Sequence, residues 1–563
     1  MFTEDMAMPN SLRSGVRALV GTLLAPSMVA QTPMKEVIYV RVTNVEIIAT
    51  DSKGNHVPGL TRDDFELYEN GKQQPITNLF EANAGASADA ARKTTLPRRI
   101  VIYLDDSTLL PNNRKPIIPA LKKLVADTMT SDDQMMIVTF NQSSKTRLPW
   151  TNDPAAVQSA LDSIGLEPGG GRNRQATRNQ IENEIRSMVS GGPGEIEIGV
   201  TRGPGRDFRT IVSTVRNYAA SVALDFERSA AALESLFGSL AGVDGRKIVV
   251  IASESFPTRP GGDVFAYLEN VRNQILAGAG SVRLQRTART ATISAEASAF
   301  NTNETILMLG RIANAAGVTI YAIDPDTGGG STSGNVEQVG PNQMQSGIST
   351  TTAGVDGLQI LAAATGGQAW IGVKPAVAFE KLRADLENYY SIGYQAGASG
   401  DAERAIEVRP KRADIRVRAK KSVVFRTAES EMTDRVTSNL QTAQVNDLGI
   451  SVQVAGDVMT EGDNRRVPVY VLIPARNITV AAEGDVLTGG FSVYFCTAGG
   501  KAGASAVTRR THELRWTPET VGQLGDRNIT FSTKVVLEKG QDLISVGVLD
   551  HRSQTTGFSK IAM

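Results

Sequence analysis

A single cysteine, Cys496, rules out any disulfide within the chain, so packing alone must hold the fold. Set in the run Phe491-Ser-Val-Tyr-Phe-Cys496, it reads as a small buried apolar residue rather than a reactive thiol. Histidine is nearly as scarce, with only His56, His512 and His551, which leaves little from which to build a Ser-His-Asp triad. There is no Gly-x-Ser-x-Gly elbow, no His-Glu-x-x-His, no paired-cysteine motif and no phosphate loop. The sequence is therefore read as non-enzymatic. Neither sign of charge prevails: Lys+Arg and Asp+Glu are both 59. That excludes the basic footprint of a nucleic-acid binder or of a protein held on an acidic membrane surface. No apolar run is long enough to span a bilayer. Aromatics are only 5%, whereas glycines number 53, a composition suited to loops between many short elements. At 563 residues the chain is too long for one hydrophobic core, and two to four domains are expected.

The N-terminus has the layout of an export signal. Arg13 and Arg17 precede the apolar run Ala18-Leu-Val-Gly-Thr-Leu-Leu-Ala25, and Pro26-Ser-Met-Val-Ala30 offers a cut after Ala30. Residues 1–30 are accordingly assigned as a signal peptide, and the chain as secreted or periplasmic, at the cell envelope. Met28 is larger than the residue usually found three places before a cut, and Glu4 and Asp5 are unusual in an n-region; a start at Met6 or Met8 would remove the two acids.

Residues 36–82 read as β, with Val37-Ile-Tyr-Val-Arg-Val42, Val45-Glu-Ile-Ile-Ala49 and Phe65-Glu-Leu-Tyr68 separated by the turn cluster Asp51-Ser-Lys-Gly-Asn55. That cluster lacks the later Glu of a Ca²⁺ loop and is read as a β-turn. An Ala-rich polar stretch, 82–93, reads as a linker. From Arg99 strands and helical patterns alternate: strands near 100–104, 134–140, 246–252, 318–323 and 368–372, helices between them, two helical insertions at 165–240 and 258–316, and a flexible Gly/Ser/Thr-rich loop at 327–354. This order implies a doubly wound parallel α/β sheet over 97–388. The chain returns to β at 389–426; 427–446 is polar and reads as a connection; 447–563 carries short strands at the spacing of an Ig-like β-sandwich. Since 36–82 and 389–426 each hold too few strands to stand alone, they are expected to pair into one discontinuous β-sandwich with the α/β domain inserted between them.

The most informative stretch is Arg99-Ile-Val-Ile-Tyr-Leu-Asp-Asp-Ser-Thr-Leu109. A buried-strand run ends in Asp105, Asp106 and Ser107, and open α/β sheets place their ligand sites at the carboxyl ends of such strands. The Asp-x-Ser spacing of Asp105 and Ser107 offers hard oxygen ligands to a divalent cation. The bland alternative is a polar strand end whose side chains bond nearby backbone amides.

In their order, several motifs resemble the bacterial von Willebrand factor type A (VWFA)-related proteins of the kind found in Acidobacteria. They are Val57-Pro-Gly-Leu-Thr-Arg-Asp-Asp-Phe-Glu-Leu-Tyr-Glu-Asn-Gly71, the strand ending in Asp105, Arg246-Lys-Ile-Val-Val-Ile251, Ile320-Tyr-Ala-Ile-Asp-Pro325, Ala363-Ala-Thr-Gly-Gly367 and Tyr389-Tyr-Ser-Ile-Gly-Tyr394. The resemblance covers about 38–426 and leaves 447–563 outside. It implies a metal-dependent adhesion site, Asp-x-Ser-x-Ser with a Thr and an Asp from two further loops, binding Mg²⁺ (or Mn²⁺ or Ca²⁺) and leaving one position for a partner's carboxylate. The sequence departs from that pattern. Asp105 and Ser107 match, but Leu109 replaces the second Ser. The glycine loop reads Gly170-Gly-Arg172, bringing a cation where the metal belongs, and the third loop reads Ser253-Glu254-Ser255, with Glu254 as a longer substitute carboxylate. The expected metal ligands are thus Asp105, Ser107 and Glu254, in a degenerate site. The function this implies is an exported protein–protein interaction or adhesion module that uses the top of its α/β sheet. The alternative is a metal-independent structural or assembly scaffold of the cell envelope.

Overall fold

A computed structural model describes residues 42–82, 97–167, 169–188, 208–277, 282–325, 356–396, 401–499, 503–525 and 527–563. The expected signal at 1–30, most of the expected linker at 82–93 and the whole of the loop at 327–354 lie outside the described residues.

The runs Ile100–Leu104, Met135–Val138 and Ile248–Ile251 are apolar without alternation, the pattern of strands covered on both faces. They form the middle of a six-stranded sheet ordered Ala369–Ile371, Val318–Asp324, Arg246–Ala252, Arg98–Asp105, Gln134–Phe140, Ser144–Thr151. The first five are parallel and the last is antiparallel. Successive side chains feed opposite faces. Ile100, Ile102 and Leu104 pack under the helices Ile117–Thr128, Pro154–Gly165 and Pro375–Glu387. Val101 and Tyr103 pack under Phe208–Leu240, Asn303–Ala315 and Asp356–Ala364. From Arg98–Asp105 the chain passes first to the neighbour on one side, Gln134–Phe140, and later to the neighbour on the other, Arg246–Ala252. The crevice between the carboxyl ends of Arg98–Asp105 and Arg246–Ala252 is therefore the topological switch point, where open α/β sheets take their ligands.

The Phe208–Leu240 helix has 33 residues, about 50 Å of helix. Its second half covers the sheet; its first half, with Phe208, Ile211, Val215 and Val222, enters a separate helical core shared with Arg172–Ser187, Gly262–Leu276 and Val282–Arg289. This helix is the beam that carries the helical cluster to the rim of the sheet.

Two four-stranded antiparallel sheets share another core. One runs Arg416–Ala419, Val42–Thr50, Tyr389–Gln395, Ile76–Ala82; the other runs Ser422–Phe425, Ala402–Pro410, Phe65–Glu69, Lys72–Gln74. Val45, Ile47, Leu67, Tyr390, Ile392 and Ile406 fill the space between them. In the C-terminal part, Asn464–Pro474 pairs with Asn528–Leu537, and Val486–Gly499 pairs with Thr508–Trp516 and Leu543–Asp550. Val467, Val469, Val471 and Ile473 meet Phe491, Val493, Phe495, Val546 and Val548 in one core. The polar stretch read as a connection contains a helix, Ala428–Asn439, N-capped by Thr427, whose hydroxyl accepts from the Ser430 amide. Met432, Val436 and Leu440 recur every fourth residue and cover Tyr494 and Cys496 on the other face of the Val486–Gly499 strand.

Candidate functional site

Asp105 ends its strand one position beyond the paired Leu104 and Ala252, so Ser253 stands beside it at the switch point. The Asp105 side chain is buried, 1% exposed. Ser107 Oγ donates to its Oδ1 at 2.5 Å and Ser253 Oγ donates to its Oδ2 at 2.8 Å. Thr108 Oγ1 lies 2.9 Å from Ser253 Oγ and accepts from the Glu254 amide at 3.2 Å. The turn is closed by the amides of Thr108 and Leu109, both donating to the Asp105 carbonyl at 3.1 Å. One carboxylate and three hydroxyls from two strand ends thus form a bonded cluster. Burial raises the Asp105 carboxyl above its ordinary value, and the hydroxyls of Ser107 and Ser253, with the charge of Arg174, pull it part of the way back.

A raised acid binds its proton more tightly in the folded state. The contribution of Asp105 to stability is therefore greatest at low pH and is lost as pH rises through its folded value. On acidification from neutral pH toward the ordinary carboxylate range, denaturant melts should show the wild type gaining stability relative to Asp105→Asn. A difference that does not move with pH contradicts this account.

Asp106 turns away from the cluster. Arg114 Nε donates to its Oδ1 at 2.6 Å, both side chains being buried, and Arg114 Nη1 also reaches the carbonyls of Ile164 at 2.9 Å and Glu167 at 2.8 Å. This pair ties the 105–110 turn to the glycine loop. There the Gly170 amide donates to the Asp106 carbonyl at 2.6 Å. A Cβ on Gly169 or Gly171 would lie 2.6 Å from the Leu109 carbonyl oxygen or 2.4 Å from that of Thr108, so only glycine permits this approach.

The expected site residues separate in the structure. Asp105 and Ser107 are together. Glu254 Oε1 accepts from the Leu110 amide at 3.0 Å, across the turn, so the longer carboxylate is engaged in bracing the 105–110 loop. Leu109, in the place of the second Ser, is fully buried in the core beneath the sheet's first face. Arg172 is exposed at the start of its helix. The cation at the site is Arg174, which lines one small cavity with Asp105, Ser107, Thr108, Asp225 and Ser255. That cavity encloses about 10 Å³, room for one water-sized occupant. Arg174 Nη2 lies 3.1 Å from Asp225 Oδ2 on the long helix, and Arg228 reaches the same carboxylate at 3.7 Å.

A divalent cation wants several oxygen ligands free to turn toward it. Here both oxygens of the Asp105 carboxylate already accept hydroxyl hydrogens, and a guanidinium lines the same cavity. Among the described residues no group of three or more His, Cys, Asp or Glu side chains is placed to hold a metal. The residues at this cavity do not fit a resident Mg²⁺, Mn²⁺ or Ca²⁺.

A serine–histidine contact does occur elsewhere: Ser492 Oγ lies 2.8 Å from His551 Nε2 in the C-terminal sheet. Ser492 is fully buried and its oxygen also lies 3.3 Å from the Arg509 Nε that donates to it. The neighbouring Asp550 carboxylate accepts from the amides of Thr479 and Arg552 and from Ser553 Oγ. The contact is part of the packing, closed to any substrate.

No protein-family model matches the chain, and no curated protein matches it. Among solved structures it is similar to the proximal thread matrix protein 1 from the mussel byssus, with 14% identity, 41% of this chain and 38% of that chain covered, and a TM-score of 0.18. It is similar to the vWF domain of the type V pili tip protein Mfa5 from Porphyromonas gingivalis, with 13% identity, coverage of 52% and 96%, and a TM-score of 0.20. It is also similar to a von Willebrand factor type A protein from Catenulispora acidiphila, with 10% identity, coverage of 82% and 76%, and a TM-score of 0.22. The chain spans about two fifths of the length of the mussel protein. Likenesses this distant leave the function to be read from the chain's own side chains.

Proposed function

We propose that the chain is an exported, non-enzymatic interaction or adhesion module of the cell envelope, binding protein partners through the top of its α/β sheet around Asp105, Ser107 and Ser255. The oxygen cluster is a degenerate form of a metal-dependent adhesion site, as the sequence resemblance implies. The observation that carries this reading is the meeting of Asp105 and Ser253 at the topological switch point, roofed by the helical insertions. Export rests on the signal-like 1–30 segment. The balanced charge argues against nucleic acid as the partner.

The alternative is a metal-independent assembly scaffold, favoured by the fact that the cluster's hydrogen bonds close on one another. Immobilised full chain, its Ser107→Lys and Ser255→Lys variants, and an Asp463→Lys control in the exposed C-terminal turn separate the two when exposed to the source organism's envelope proteins. Saturable binding lost in both serine variants and kept in the control supports the interaction module. Equal binding by all four proteins, with unchanged melting temperatures, contradicts it and leaves the scaffold.

A further inference from the structure

We infer that Arg174, held by Asp225, supplies from within the chain the positive charge that a bound divalent cation would supply to Asp105, so that this face is built to work without metal. The inference deepens the reading of the top face as an interaction site, and its test needs no partner.

Three observations carry it. The first is delivery. The glycine loop 169–171 is locked onto the 106–109 turn by the Gly170 amide and by approaches that no side chain could tolerate. The Arg172–Ser187 helix begins at that loop, so Arg174, in its first turn, has its place fixed by the same turn that carries Asp105. The second is restraint. Asp225 projects from the middle of the long helix and holds the guanidinium at 3.1 Å with the arginine side chain only 20% exposed. The third is balance. Arg174 lines the cavity with Asp105 and Asp225, and Arg228 faces Asp225 from outside that lining, so the acids of the cavity already have a fixed positive charge beside them. Adding a divalent ion would set two further positive charges beside a guanidinium in a partly buried crevice, and like charges brought together out of water are costly. Hydroxyls that would turn toward a metal are instead spent on Asp105 itself, whose carboxylate they satisfy.

Removing the charge while keeping the shape should therefore open a metal site. Arg174→Gln keeps a donor for Asp225 but removes the positive charge that lines the cavity. The full chain, Asp105→Asn, Arg174→Gln, Arg174→Lys and the double variant Arg174→Gln/Asp105→Asn are titrated with Mn²⁺ alone, following free Mn²⁺ by electron paramagnetic resonance and melting temperature in parallel. Wild type and Arg174→Lys should bind no Mn²⁺ through Asp105 and show no Mn²⁺-dependent melting. Arg174→Gln should melt lower, bind one Mn²⁺ per chain and recover roughly 2–4 °C with saturating Mn²⁺. The double variant should lose that site. Wild-type binding of Mn²⁺ that disappears in Asp105→Asn overturns the inference, and so does an Arg174→Gln protein that gains no Mn²⁺ affinity. Either result stands whether or not the face binds a partner, so failure here is separable from failure of the interaction reading.

Discussion

Replacing Arg114 with alanine is expected to cost about 3–5 kcal/mol of stability, measured by urea denaturation. The side chain is 4% exposed and bonds three groups: the Asp106 carboxylate and the carbonyls of Ile164 and Glu167. Its loss strands a carboxylate that burial already pushes up and that Arg114 first, with Arg147 after it, pulls back. The cost arises from the uncompensated charge, not from the worth of the pair. The double variant Arg114→Met/Asp106→Leu should therefore recover most of it. Arg114→Lys should recover little, because an ammonium cannot reach a carboxylate and two carbonyls as a planar fork does. The same variants loosen the glycine loop, so Arg114→Ala should also free Arg174 from its place beside Asp105. Full stability in Arg114→Ala would mean that the pair is solvated and the loop held by other contacts.

The second large effect is expected at the opposite end of the sheet. Arg246 begins the Arg246–Ala252 strand, and its side chain is buried. Nε donates to Glu46 Oε2 at 2.8 Å, Nη1 to the Leu386 carbonyl at 3.1 Å, and the guanidinium lies 4.1 Å from the centre of the Tyr389 ring. It joins the α/β sheet to the Val42–Thr50 and Tyr389–Gln395 strands. Arg246→Ala should lower stability by about 3 kcal/mol. It should also broaden the unfolding transition, because the two cores lose one of the side chains that couple them, Arg418 on Asp385 and Asn314 on Ser422 remaining. Glu46→Ala should cost less, since the Glu46 side chain is 25% exposed and water screens part of the pair. A transition as sharp as the wild type's in Arg246→Ala would show that the remaining contacts, among them Arg418–Asp385, couple the two cores without it.

Much of the central sheet was legible because strands covered on both faces need continuous apolar runs, and Ile100–Leu104, Ile248–Ile251 and Val318–Ile323 supply them. The strand-end position of Asp105 follows from where its run stops. What the sequence hides is which neighbour each strand end faces. Ser253, not Glu254, meets Asp105, because register puts Ser253 directly after the paired Ala252 and alternation turns the next residue toward Leu110. Thr108 joins the cluster only through the turn that folds it back onto Asp105, and no local pattern marks that. The cation lies two residues from its expected place because the helix starts at Arg172, and a partial turn brings position 174 to the cavity. The Ala428–Asn439 helix was masked by its polar composition. Its signal was present in the four-residue spacing of Met432, Val436 and Leu440 and in the Thr427 cap.

The most direct test of the account is anomalous diffraction from crystals of the wild-type chain soaked in Mn²⁺. The account predicts no anomalous peak within coordinating distance of Asp105 and Ser107, with Ser253 bonded to Asp105 and the Arg174 guanidinium resting on Asp225. A Mn²⁺ peak ligated by Asp105 and Ser107, with Arg174 turned out of the cavity, would contradict it.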